Sequence, residues 1–172
     1  GTLDKQIVGV KFSEPLASAS VSKEKFKLSN ATVTGTAMGI GGDSVYLTVS
    51  GLTADSFTVT ASGVTDSAGN AIAANAQVAG KAVNGWTAVD VGFFGGGDPA
   101  SRSEGDDPGV PGQTVAVAGG PRAELEIVAG GSNIWNAGDF EHFVYTEKTG
   151  DFDVQAEIVR FDRSPNTGGT LP

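Results

Sequence analysis

Histidine is the residue type that ordinarily titrates near neutrality, and this chain has one, His142. It stands in the run Asp139-Phe140-Glu141-His142-Phe143-Val144-Tyr145, where general acid–base work would need a reacting group within hydrogen-bond reach. Asp139, Glu141 and His142 together contain the donor types of a metal site. Glu141 and His142 are adjacent, however, and on a strand adjacent side chains point to opposite faces. A packed or hydrogen-bonded histidine is the expectation. Glu124, Glu126, Asp151 and Asp153 supply carboxylates of the kind paired in glycoside hydrolysis, but no sugar-hydrolase signature surrounds them. No nucleophile and base stand out as a pair, so the expectation is a non-catalytic protein with no catalytic residues.

Calcium is the one cofactor the sequence raises. Asp66 and Asn70 sit in the Gly-containing loop Asp66-Ser67-Ala68-Gly69-Asn70, and Asp98, Asp106 and Asp107 lie in a Gly-, Pro- and Asp-rich segment with Glu104. A hard cation takes six to eight oxygens, more than the first loop offers, and the alternative for Asp66 and Asn70 is a turn whose side chains bond nearby backbone. The acidic segment is long for a loop between strands, which marks it as functional or as a decoration on a sheet edge. Trp86, Trp135 and Tyr145 are the aromatics able to stack on sugar rings, with burial in a core as the alternative for each.

These residues must be positioned by strands. Val8, Val10 and Phe12 alternate with Lys11; Val45, Leu47 and Val49 alternate with Tyr46, Thr48 and Ser50; Phe57, Val59 and Ala61 alternate with Thr58, Thr60 and Ser62. Shorter runs surround Phe26 and Leu28, then Val33, and a last one near Ala76 to Val83 closes the sheet. Turn signals separate them, as at Gly39-Ile40-Gly41-Gly42-Asp43. About seven short strands in some 80 residues predict an immunoglobulin-like sandwich. After the Asn84-Gly85 hinge, new runs begin at Trp86, Thr114 and Ala123, and the brief hinge predicts that the two parts touch. The Asp139–Tyr145 run carries aromatics on both parities, which predicts cover on both faces. Phe152, Val154, Ala156 and Ile158 alternate with Asp153, Gln155 and Glu157, the pattern of a half-buried antiparallel strand.

Composition narrows the partners. Twenty acidic against 11 basic residues give a formal net charge of −9, which disfavours nucleic acid and anionic lipid. The 26 glycines follow no fixed period, so collagen-like repeats are excluded. Without cysteine there is no disulfide scaffold, thiol chemistry or zinc–thiolate site. No run is apolar and long enough to span a bilayer as a helix, and no signal peptide is visible. Gly1-Thr2-Leu3 does not read as a natural start, so the expectation is a piece of a longer precursor.

Two resemblances follow from quoted residues. Val10-x-Phe12-Ser13-Glu14-Pro15-Leu16, Phe26-x-Leu28 and Gly63-Val64-Thr65-Asp66-x-Ala68-Gly69-Asn70 resemble a bacterial Ig-like repeat. Gly131-Ser132-Asn133-Ile134-Trp135, then Phe140-x-x-Phe143-x-Tyr145, then Thr149-Gly150-Asp151-Phe152, resemble the front half of a concanavalin-like or laminin-G-like jelly roll. The resemblance implies an all-β protein, with an Ig-like β-sandwich over residues 1–83 and part of a jelly-roll-like β-sandwich over 84–172, interrupted by an irregular loop at about 93–112. It also implies a bacterial extracellular or cell-surface setting and a structural or adhesive role, as a fragment or as a subunit of a surface assembly or filament. The alternative is the carbohydrate-binding region of a secreted polysaccharide-degrading enzyme. In such jelly rolls more strands follow. The missing layer is therefore expected either from further sequence or from neighbouring copies by strand addition.

Overall fold

The structure, a computed structural model, describes residues 1–91, 112–120, 122–129, 131–135 and 138–161. The chain is all-β. In order the strands are β1 (Ile7–Lys11), β2 (Phe26–Leu28), β3 (Thr32–Met38), β4 (Ser44–Ser50), β5 (Ser56–Ala61) and β6 (Ala76–Lys81). They continue with β7 (Trp86–Val91), β8 (Gln113–Ala118), β9 (Glu124–Val128), β10 (Gly131–Trp135) and β11 (Gly138–Thr146). Two single turns of 3-10 helix, Ser18–Ser20 and Lys23–Lys25, are the only helical elements among the described residues.

The first six strands form two antiparallel sheets, ordered β1-β4-β3 and β2-β5-β6. Their inward rows meet as a sandwich. Val8, Val10, Val45, Leu47 and Val49 come from one sheet, Phe26, Phe57, Val59 and Ala61 from the other, and Leu52 and Val64 close the ends. These are the period-two rows of the sequence, and each fully buried aliphatic or aromatic side chain contributes about 1.5–3 kcal/mol.

The hairpin β8–β9 covers the outer face of β1-β4-β3. Tyr46, Val115 and Val117 form a second buried cluster with Ile7 against it. Tyr46, which the alternation places on the face away from the sandwich core, is therefore buried too. The approach is close enough to require glycine at position 9, where a Cβ would run into the Ala116 carbonyl and the side chains of Val115 and Val117. The two parts of the chain touch, as the short hinge predicts.

A third sheet has the order β10-β11-β7, again antiparallel. Its register pairs Trp86 with Thr146, Ala88 with Val144 and Asp90 with His142, so these six share one face. Thr87, Val89 and Val91 share the other with Tyr145, Phe143 and Glu141. The expectation that both faces of β11 are covered fails on this second face, where Phe143 is 48% exposed and Val89 and Val91 lie open as well.

A second expectation also fails. Residues 152–161 pair with no strand among the described residues, and Phe152, Val154, Ile158 and Phe161 are all more than half exposed. The alternation is real, but a period-two apolar row is buried only when another layer faces it, and among the described residues none does.

Candidate functional site

On the face of the β7–β11 pair that Asp90 shares with His142, these two side chains form a polar chain with Thr114 of β8. Asp90 is the only charged residue in β7, and the register sets it directly opposite His142. Asp90 Oδ1 lies 2.7 Å from His142 Nδ1, and the Gly112 backbone N–H donates to the same oxygen at 2.8 Å. On the far side of the ring, His142 Nε2 lies 2.7 Å from Thr114 Oγ1 of β8. The His142 side chain is 4% exposed and that of Asp90 17%.

The Asp90 carboxylate places a proton on Nδ1. An ionised carboxylate only accepts hydrogen bonds, so Nδ1 carries a proton; Nε2 accepts from the Thr114 hydroxyl when the ring is neutral and donates to it when the ring is protonated. Gly112 lies flat on the imidazole, since a Cβ there would fall on the ring. An open cleft of about 620 Å³ adjoins the three residues, and Asp4, Ile7, Ala88 and Gln113 also line it. Chemically, a carboxylate holds an imidazole whose second nitrogen is aimed at a hydroxyl. Mechanically, the same bonds strap β8 to the β7–β11 sheet.

The other candidates fall elsewhere. Asp66 Oδ1 accepts from the backbone N–H groups of Ala68 (2.9 Å) and Asn70 (2.8 Å), and Oδ2 accepts from Asn70 Nδ2 at 2.7 Å. The Asn70 side chain and the loop N–H groups hold the Asp66 carboxyl below its ordinary pKa. Both oxygens face N–H donors in the turn arrangement, the alternative to calcium ligation. Asp98, Asp106 and Asp107 lie outside the described residues. Among the described residues no three His, Asp or Glu side chains are grouped to hold a metal ion.

Trp86 is exposed like Val89 and Val91 but on the face shared with His142, whereas Tyr145 is on the opposite face, its ring stacked on Phe143 at 5.4 Å and 22°. These two aromatics therefore form no common platform. Trp135 ends β10, and its side chain lies outside the described residues. His142 meets neither Glu141, which points to the other face, nor a metal cluster; it turns to Asp90 and Thr114 instead. Glu126 Oε2 is occupied by the Tyr46 and Ser44 hydroxyls at 2.6 and 2.7 Å, and Lys11 Nζ bridges to Glu124 at 3.0 Å.

Sequence reasoning missed Asp90, Gly112 and Thr114 as partners of His142. One signal was available, a lone acid in the otherwise uncharged strand Trp86–Val91. Comparison with known proteins adds no relative: no family model matches the chain, and neither does any curated protein or solved structure at a significant level. The class defined by the structure is an all-β protein with a sandwich core. No helix among the described residues is long and apolar enough to cross a membrane.

Proposed function

We propose that this chain is a structural or adhesive extracellular β-module, acting at a bacterial surface by contact with other β-structure. One observation carries the reading: apolar side chains arranged for burial stand open. On β7 and β11 these are Val89, Val91 and Phe143, and along residues 152–161 they are Phe152, Val154, Ile158 and Phe161. A segment with an apolar alternate row and no ladder partner among the described residues is what strand addition uses, because backbone bonds supply affinity and the row supplies register. The occupant is a β-strand layer, from a neighbouring module of a longer chain or from another copy. The acidic balance and the resemblance to Ig-like and laminin-G-like modules support the setting.

Sedimentation across a concentration series tests this. Association of the 172-residue chain that weakens in Phe152→Asp/Ile158→Asp supports the reading, and ordered polymers in electron micrographs would specify a filament. A monomer at every concentration that binds no apolar dye overturns it. The half-open Phe143–Tyr145 ring pair favours carbohydrate binding as the second reading. Retention on insoluble polysaccharide, lost in a folded Tyr145→Ala variant, would decide for that alternative.

A further inference from the structure

We propose that Asp90, His142 and Thr114 form a nucleophile-activating relay, with Thr114 Oγ1 the atom that attacks the carbonyl carbon of a small neutral ester. This goes beyond the contact role proposed above and does not depend on it. Three features on three separate strands converge. Asp90 on β7 orients the ring through Nδ1, His142 on β11 presents Nε2, and Thr114 on β8 sets its hydroxyl within 2.7 Å of that nitrogen. A hydroxyl is a weak nucleophile until a positioned base takes its proton, and a base must itself be held by a third group. The Gly112 N–H on Asp90 Oδ1 supplies one more restraint on the carboxylate. The relay is not sealed in the core, because the adjoining cleft reaches Thr114 and His142.

The balanced step is acyl transfer. Thr114 Oγ1 forms a bond to the acyl carbon while its proton passes to His142 Nε2, and Asp90 stabilises the imidazolium. The tetrahedral adduct collapses, the bond to the alcohol oxygen breaks, and that oxygen takes the proton from Nε2. Water, deprotonated by the same nitrogen, then attacks the Thr114 ester, releasing the carboxylic acid and restoring the hydroxyl. Nothing is oxidised or reduced. The substrate class follows from the lining. Asp4 and Asp90 at the cleft and the net charge of −9 repel anionic acyl groups, while Ile7 and Ala88 favour a short apolar one.

The test uses the intact chain with p-nitrophenyl acetate and a fluorophosphonate probe, followed by peptide mapping. The expected result is one adduct, on Thr114, formed by the folded protein and not by the same chain in urea. In folded variants the adduct persists with Thr114→Ser, is lost with Thr114→Val, and forms at least ~100-fold more slowly with His142→Gln. The comparison with urea needs no variant, so the proposal remains testable should a substitution prevent folding. No adduct on Thr114 of the folded wild type, or labelling unaffected by unfolding or by His142→Gln, overturns the relay and leaves the three residues as a strap.

Discussion

Asp90 and His142 are direct cross-strand partners on one face of the β7–β11 pair, joined Oδ1 to Nδ1 at 2.7 Å. Removing the carboxylate strands the nearly buried imidazole with no acceptor for its Nδ1 proton and frees the Gly112 N–H. Asp90→Ala is expected to cost about 1.5–3 kcal/mol, the range for losing a hydrogen bond to a charged group. Asp90→Asn is milder, because its amide oxygen can still accept. Urea unfolding of both variants checks this, and an Asp90→Ala midpoint equal to wild type would show that the pair holds nothing together.

Tyr46 joins the first sandwich to the β8–β9 hairpin. Burial first, and then the hydrogen bond and negative charge of Glu126, push its phenol pKa well up. The folded state therefore keeps a proton that the unfolded chain releases at about pH 10. Stability from this group is fully present below that pH and falls as pH rises from there toward the folded pKa. Thermal melts from neutral to alkaline pH are expected to show a steeper loss in wild type than in Tyr46→Phe. Parallel curves would mean that the phenol's ionisation is not linked to folding.

Gly9 lies where β1 passes under β8. Gly9→Ala would press a methyl group against the Ala116 carbonyl and the Val115 and Val117 side chains. Overpacking of this kind costs about 1–3 kcal/mol. The cost should appear as faster amide exchange in β8 and β9, with the opposite sheet β2-β5-β6 little changed. Uniform loss of protection in all strands would mean instead that hairpin and sandwich unfold as one unit.

The strands of the sandwich were legible because a half-buried strand writes its burial into the sequence with period two. Val45, Leu47 and Val49 are the plainest case, and all three lie in the core. Tyr46 was less legible, since its burial depends on a hairpin some seventy residues further along the chain. The relay was illegible for the same reason. His142, Asp90 and Thr114 come from three strands, and only the register of β7 on β11 and the packing of β8 bring them together. The row Phe152 to Ile158 shows the converse: its alternation specifies a face to be buried without specifying what buries it.

Asp66 offers a test at acid pH. Its carboxyl is held below the usual range, first by the Asn70 side chain and then by the loop N–H groups, so the folded state prefers it ionised. A depressed folded pKa contributes stability that is present above the unfolded value, about 3.9, and is lost as pH falls through the folded pKa. Asp66→Asn keeps an acceptor for the loop but removes the charge and the titration, and it turns an NH2 group toward donors. The variant is therefore expected to melt below wild type at neutral pH, with the gap narrowing as the solution is acidified below about pH 4. Melting temperatures at matched ionic strength supply the check. A gap that stays constant into strong acid would show that the turn needs the shape of this side chain and not its charge, while a gap that closes assigns the loop's stability to the carboxylate and its three N–H donors.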